Sequence, residues 1–127
     1  MNFLKKVFVV DDDDFYRQMM VDHLSKIPSL KTKAFATGEE CLDNMYTENP
    51  EFVILDYTLN DVVADAASGI EILDKIKKTF PSTHVIMLSA QGKYGVAAST
   101  IVKGAEHYVV KDNDSFKNIS SILESYK

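Results

Sequence analysis

The chain has 127 residues, 46% of them hydrophobic and 26% charged, with a net charge of −5 at pH 7. This composition predicts a single folded domain and excludes a disordered or membrane-embedded chain. The negative charge argues against nucleic acid as a direct partner, because phosphate binding requires a basic surface. The first residues are not typical of a signal peptide. With Cys41 as the one cysteine, no internal disulfide can form, and we expect the reducing cytoplasm.

Apolar runs and amphipathic stretches alternate along the chain. Four apolar runs predict strands, at 7–10, 52–55, 84–88 and 108–110. Residues 30–36 are a weaker candidate, because they alternate with Lys31 and Lys33 as a more exposed strand should. One face of the first helix is predicted to contain Phe15, Met19, His23 and Ile27. The second helix is predicted to begin with Thr37 as a cap and Glu40 three residues later, and the third is predicted to stop before Pro81. The last helix is predicted to bury Phe116, Ile119, Leu123 and Tyr126.

The alternation of strands and helices predicts an α/β fold, in which helices cover both faces of a five-stranded parallel sheet. Right-handed crossovers make such a sheet doubly wound. In this architecture a functional site lies beyond the carboxyl ends of the strands. Polar residues follow four of the five predicted strands, and we expect them to meet at one edge: Asp11, Asp12, Asp56, Ser89 and Lys111.

Four consecutive aspartates, Asp11 to Asp14, follow the first predicted strand, and Asp56 follows the third. Carboxylates this close repel one another and raise each other's pKa. A divalent cation with oxygen ligands relieves the repulsion, and Mg²⁺ is the expected ion. We predict that Asp11 and Asp12 face the site, whereas Asp13 and Asp14 begin a helix, where acidic residues are favourable. A carboxylate such as Asp56 can also attack a phosphoryl group.

Short motifs at these strand ends resemble those of a known family. They are Val9-Val10-Asp11-Asp12, Ile54-Leu55-Asp56, Leu88-Ser89-Ala90, and Gly104-Ala105 followed by Tyr108-Val109-Val110-Lys111. In this order they resemble the receiver domains of bacterial two-component response regulators, over nearly the whole of residues 1–127. The resemblance implies a flavodoxin-like fold of five strands and five helices. It also implies a phosphorelay module that accepts a phosphoryl group from a sensor histidine kinase or a histidine phosphotransfer protein.

The resemblance implies a role for each residue of the predicted site. Asp56 is the expected phosphoacceptor. The expected Mg²⁺ ligands are Asp11 (through a water), Asp12, Asp56 and the backbone carbonyl of Thr58. Ser89 and Lys111 are expected to contact the phosphoryl group, and Ser89 and Tyr108 form the expected switch. We expect self-catalysed phosphotransfer and autodephosphorylation rather than enzymatic turnover of a separate substrate.

Two segments depart from the family pattern. The family usually has Met-Pro and then Asp-Gly soon after the acceptor, but here Leu59-Asn60 follows and the glycine arrives late, as Gly69. Residues 61–68 are therefore an insertion, which we predict to be a simple extended loop over the site. Where the family usually has a cis proline after the lysine, this chain has Asp112. A cis bond would cost about 3 kcal/mol there, so we expect a trans bond.

The remaining candidate residues have ordinary explanations. The histidines His23, His84 and His107 lack metal-ligand spacing, and we expect them to pack in the core or at the surface. Thr58 and Gln91 flank the predicted site and are candidates for setting the dephosphorylation rate.

We expect no effector domain within residues 1–127, so the output is a downstream protein target or a fused effector outside this chain. No direct contact with nucleic acid or a membrane is expected. Two other classes stay open: a pseudo-receiver adaptor that is never phosphorylated, and an aspartyl-phosphate phosphohydrolase. The inserted loop and the missing proline after Lys111 favour the adaptor, but the complete set of acids, hydroxyl and lysine argues against it. The acceptor's place after the third strand argues against the hydrolase, because such enzymes carry their nucleophile on the first strand.

Overall fold

The computed structural model of the protein describes residues 4–90 and 94–126. Strands and helices alternate through the chain: β1 Lys5–Val10, α1 Asp14–Leu24, β2 Leu30–Phe35, α2 Gly38–Glu48, β3 Phe52–Asp56, α3 Gly69–Thr79, β4 His84–Ser89, α4 Tyr94–Val102, β5 His107–Val110 and α5 Ser115–Ser125. The strands form one parallel sheet in the order β2-β1-β3-β4-β5. Because the chain proceeds first to one edge and then to the other, helices cover both faces. The predicted doubly wound α/β fold is confirmed.

Two hydrophobic clusters, one on each face of the sheet, form the core. The central strand β3 contributes to both: Val53 and Leu55 pack beneath α2 and α3, and Phe52 and Ile54 pack beneath α1 and α5. All four side chains are fully buried. Each contributes about 1.5–3 kcal/mol relative to exposure. Burial on both faces explains the continuous apolar run, and it makes the strand a rigid base for the residue at its end.

The buried face of α1 differs from the predicted one. Phe15 and Met19 are 75% and 39% exposed, whereas Met20 and Leu24 are fully buried. The predicted apolar face of α1 is therefore not the face that packs on the sheet, and Ile27, which was predicted to share that face, lies beyond the end of the helix at Leu24. The helix begins at the Asp13 cap, whose carboxylate accepts hydrogen bonds from two amides of the first turn. This cap, together with the short connection from β1, determines which apolar stripe faces the sheet.

Other expectations from the sequence are confirmed. Thr37 caps α2, and its hydroxyl accepts a hydrogen bond from the Glu40 amide at 3.2 Å. Helix α3 ends at Thr79, before Pro81. The described ranges contain no cis peptide bond, so the bond before Asp112 is trans.

No helix in the described ranges has both the length and the apolar character needed to cross a membrane.

Candidate functional site

The carboxyl ends of the strands bring the predicted site residues together. Asp56 is the last residue of β3, and Ser89 is the last residue of β4. Asp11 directly follows β1, and Lys111 directly follows β5. The Lys111 amide donates to the Ser89 carbonyl at 2.8 Å, which joins the last two strand ends. The predicted convergence at one edge of the sheet is confirmed.

Three carboxylates form an acidic pocket at this edge. One oxygen from each of Asp11, Asp12 and Asp56 lies within 4.8 Å of the other two. Asp11 and Asp56 are 1% and 4% exposed, and Asp12 is half-buried. Asp11 Oδ2 is buried, and the Lys111 ammonium lies 2.8 Å from it. Three converging carboxylates fit a Mg²⁺ ion, which prefers oxygen ligands.

The Lys111 ammonium lies in the acidic pocket. Its Nζ atom is 2.8 Å from Asp11 Oδ2 and 3.3 Å from Asp56 Oδ1. Burial alone would lower the pKa of Lys111, but these two carboxylates raise it above its ordinary value. The lysine therefore stays charged, and this one ammonium faces three carboxylates.

The Asp56 carboxyl group is strongly perturbed. Burial, with the nearby Asp11 charge, raises the pKa of Asp56 to about 7. Lys111 and a hydrogen bond from the Thr58 amide act in the opposite direction, but they do not offset the loss of water. A buried carboxylate in this state favours the uptake of a proton or a cation. Such a perturbed acid in a polar pocket is typical of a functional site.

The other two aspartates of the run have the structural role that was predicted for them. Asp13 caps α1 and accepts hydrogen bonds from amides of its first turn at 3.0 and 3.1 Å. Asp14 forms an ion pair with Arg17, which also donates to the carbonyl of Asp11 at 2.7 Å. Of the four consecutive aspartates, the first two therefore supply carboxylates to the acidic pocket.

Tyr16 is a residue of the site that the sequence analysis missed. Its ring centroid lies 4.5 Å from Lys111 Nζ, and its hydroxyl oxygen is 2.7 Å from the buried Ser115 Oγ. The ring also stacks on Phe116, with 5.0 Å between centroids. Burial raises the pKa of Tyr16, so its hydroxyl stays protonated at neutral pH. The cation–π contact positions the lysine and connects it to the start of α5.

The inserted residues 61–68 fold back onto the acidic pocket. The amides of Asp61 and Val62 donate to Asp12 Oδ2 at 3.0 and 3.4 Å. A turn closed by a 3.0 Å backbone hydrogen bond follows within the loop. The prediction of a simple extended loop was therefore wrong, because the Asp12 carboxylate binds the start of the loop and the chain bends behind it.

The end of the inserted loop is also attached. The Ala67 amide donates to Glu39 Oε2 at 3.0 Å, and the Gly69 amide donates to the Tyr57 carbonyl at 3.0 Å. A Cβ atom at position 69 would lie 2.2 Å from the carbonyl oxygen of Asp56, so only glycine fits there. The late glycine thus allows α3 to begin directly against the end of β3.

The remaining predicted site residues lie on or near the same edge. Ser89 is 2% exposed at the end of β4. Thr58 is half-buried two residues after Asp56. Tyr108 is half-buried and packs against the cluster beneath α2 and α3. Gln91 lies outside the described residues. The switch role of Ser89 and Tyr108 stays a prediction.

Other potentially reactive side chains lie away from the acidic pocket. Burial raises the pKa of Cys41 to about 12, so its thiol is unreactive at neutral pH. Each histidine contacts a neighbouring polar side chain: His23 with Ser120, His84 with Glu106, and His107 with Tyr126. These contacts agree with the packing roles expected for all three histidines.

Comparison with known proteins agrees with the geometry. Residues 7–123 match the family described as response regulator receiver domain. The chain is 28% identical to the chemotaxis protein CheY of Thermotoga maritima, over 84% of this chain and 85% of that protein. It is 30% identical to the DNA-binding transcriptional regulator NtrC of Klebsiella pneumoniae, over 84% of this chain but 22% of that protein.

A solved structure gives the same result. The BeF3-activated receiver domain of DrrB, from Thermotoga maritima, has a TM-score of 0.79 and 30% identity, over 96% of this chain and 99% of that one. The family match over residues 7–123 includes the residues of the acidic pocket and Lys111. This chain therefore belongs to the response regulator receiver domain family, a class of two-component signalling modules.

Proposed function

We propose that this receiver domain accepts a phosphoryl group on Asp56. The observation that carries the proposal is the setting of that carboxylate. It is buried at a strand end, 3.3 Å from Lys111 Nζ and beside the carboxylates of Asp11 and Asp12. Attack of an anion on a phosphoryl group requires positive charge near the transferring oxygens. The acidic pocket supplies one ammonium and a set of oxygen atoms suited to a cation.

The residues around the acceptor have distinct proposed roles. The proposed Mg²⁺ ligands are Asp12, Asp56 and the Thr58 carbonyl, with Asp11 acting through a water. When bound, the ion neutralises charge on the transferring oxygens. Lys111 pairs with a phosphoryl oxygen as a compact charge, and Tyr16 holds the ammonium in place. Ser89 donates its hydroxyl hydrogen to another phosphoryl oxygen.

The proposed output is a change of surface that begins at the acidic pocket. Phosphorylation adds a strong hydrogen-bond acceptor and up to about two negative charges at Asp56. Ser89 moves toward this group, and Tyr108, which is half-buried, changes its orientation. The changed surface then contacts a downstream protein or a fused effector outside this chain. Both arrangements occur among the relatives: the matched region is 85% of CheY from Thermotoga maritima and 22% of NtrC.

The proposed phosphodonor is a sensor histidine kinase or a histidine phosphotransfer protein, in keeping with a two-component module. The phosphotransfer is self-catalysed, and no separate substrate is turned over. A cytoplasmic location agrees with a single, reduced cysteine. Direct binding of nucleic acid is not part of the proposal, because the net charge is −5.

The test is chemical phosphorylation of the whole chain. Wild type, Asp56→Asn and the control Asp43→Asn are incubated with phosphoramidate and Mg²⁺, and intact mass is measured. We expect wild type and the control, which changes an exposed acid on α2, to gain one phosphoryl group. Asp56→Asn is expected to gain none. Equal labelling of all three proteins would refute Asp56 as the acceptor, and no labelling of any would favour an adaptor that is never phosphorylated.

A further inference from the structure

Each carboxylate of the acidic pocket accepts a hydrogen bond from a backbone amide. Asp11 Oδ1 accepts from the Asp13 amide at 2.9 Å, and Asp56 accepts from the Thr58 amide. Both amides lie two residues beyond the acid that they contact. Asp12 differs, because its amide partners come from the inserted loop, about fifty residues away in the sequence. The inserted loop therefore supplies Asp12 with the amide donors that the neighbouring backbone supplies to Asp11 and Asp56.

The two loop amides converge on one oxygen of Asp12. Asp61 N is 3.0 Å and Val62 N is 3.4 Å from Oδ2. The other oxygen, Oδ1, accepts no hydrogen bond from any residue that the structure describes. Amide donors favour the ionised carboxylate and fix its orientation. One oxygen is thus held by the loop while its partner remains available to a cation.

The loop has little freedom to leave this position. Its far end is attached through the Ala67 amide to Glu39 Oε2, and the chain then returns to the Tyr57 carbonyl at Gly69. Both attachment points lie on well-packed elements, α2 and the end of β3. The inserted loop is therefore a fixed support for Asp12.

We propose that the inserted loop, residues 61–68, positions Asp12 for Mg²⁺ through the amides of Asp61 and Val62. The inference rests on the proposed metal site. Groups that hydrogen-bond to a metal ligand raise metal affinity by about 10–100-fold. By linkage, bound Mg²⁺ then stabilises the loop in return. If the amides and the ion instead compete for the same carboxylate, loss of the amides strengthens Mg²⁺ binding.

The direct test removes one amide donor. Asp61→Pro lacks the N–H that lies 3.0 Å from Asp12 Oδ2. Calorimetric titration of the whole chain with Mg²⁺ is expected to show about tenfold or weaker affinity than wild type. Circular dichroism establishes that the variant is folded. Wild-type affinity in Asp61→Pro overturns the inference, and so does tighter binding.

Two controls separate the amide from other changes. Asp61→Ala removes the same side chain but keeps the amide, so we expect Mg²⁺ affinity near that of wild type. Ala64→Pro introduces a proline at the second position of the turn that Val63 and Ala66 close, where proline is favourable. Affinity near that of wild type is again expected. A loss in either control as large as that in Asp61→Pro overturns the assignment to the amide.

Hydrogen exchange on the wild-type chain provides a second measurement that needs no variant. With Mg²⁺ present, the amides of Asp61 and Val62 are expected to exchange about tenfold more slowly. The Ala64 amide donates no hydrogen bond within the described ranges, and its exchange is expected to stay unchanged. Mg²⁺ binding without added protection overturns the inference alone. No Mg²⁺ binding by wild type overturns the proposed metal site and the inference together.

Discussion

The two ends of the sheet both carry ionisable side chains, but only the carboxyl end has carboxylates that lack enough positive charge. At the carboxyl ends of the strands, the Lys111 ammonium faces the carboxylates of Asp11, Asp12 and Asp56. At the amino ends, the carboxylate of Glu106 is surrounded by partners. The first end has an excess of negative charge within reach of little water, and the second does not.

The partners of Glu106 account for both carboxylate oxygens. Oε2 is 2.6 Å from His84 Nδ1 and accepts a hydrogen bond from the Tyr126 hydroxyl at 2.9 Å. Oε1 is 3.6 Å from Lys77 Nζ. Burial alone would raise the pKa of Glu106, but the contacts with His84 and Tyr126 lower it below its ordinary value. Each oxygen of the Glu106 carboxylate therefore already has a hydrogen-bond donor or a cation beside it.

The contrast shows that a cluster of charged groups is not by itself a site. The pKa of Asp56 is raised and that of Glu106 is lowered, although both are carboxyl groups at strand ends. The difference lies in how many hydrogen-bond donors and cations compensate each carboxylate for the water that it loses on burial. A deficit of positive charge, rather than the number of ionisable groups, distinguishes the end of the sheet that we propose binds a cation and a phosphoryl group.

Removal of the Asp56 charge has the largest expected effect. Without Mg²⁺, we expect Asp56→Asn to raise the free energy of unfolding by up to about 4 kcal/mol at about pH 8, because the pKa is raised from 3.8 to about 7. A carboxyl pKa that is higher in the folded state means that wild-type stability falls as pH rises from about 4 to about 7. Urea unfolding in a chelating buffer, followed by circular dichroism, measures the difference.

Asp43→Asn is the control for this experiment, because Asp43 is an exposed acid on α2. Its stability is expected to follow that of wild type across the whole pH range. A gain in Asp56→Asn that does not depend on pH, or the absence of any gain, would contradict an excess of negative charge at this end of the sheet.

Removal of the lysine tests the same imbalance in the opposite direction. We expect Lys111→Met to lose about 3 kcal/mol of unfolding free energy without Mg²⁺, because breaking a buried ion pair leaves its acids uncompensated. The control is Lys78→Met, which removes an exposed partner of Asp74 and is expected to cost less than about 1 kcal/mol. Equal losses measured by urea unfolding would show that Lys111 behaves as a surface charge.

Much of the fold could be predicted because buried strands leave a plain signal. Burial on both faces requires continuous apolar runs, as in β3 and β4, whereas the edge strand β2 alternates and is partly exposed. The rotation of α1 was not predictable from spacing alone. Apolar residues occur at positions 15 and 19 and also at 16, 20 and 24, so the chain offers two stripes of helical period. The cap and the connection from β1 decide between them.

The candidate site was likewise predictable from the sequence only in part. Parallel topology places the residues after the strands at one edge, so the acids, Ser89 and Lys111 could be identified from their order. Tyr16 was missed because its helical spacing with Met20 and Leu24 is that of an ordinary core residue. The contact of the inserted loop with Asp12 was missed for another reason. Backbone amides make it, and every residue type other than proline carries one.

The smallest expected effect on stability is at the amino ends of the strands, where Glu106 is already compensated. We expect Glu106→Gln to lower the free energy of unfolding by about 1 kcal/mol at neutral pH, because the side chain is about one-third exposed and its ionic contacts are screened. A pKa lowered in the folded state adds stability above the ordinary carboxyl range, and this stability is lost as pH falls below about 4.5. Urea unfolding across acidic pH, with the exposed Glu124→Gln as control, measures both the size of the loss and its dependence on pH.

The loss of stability in Glu106→Gln should shrink toward low pH, whereas the gain in Asp56→Asn grows toward high pH. If Glu106→Gln instead stabilised the protein above neutral pH, the amino end would also lack positive charge, and the contrast between the two ends would fail.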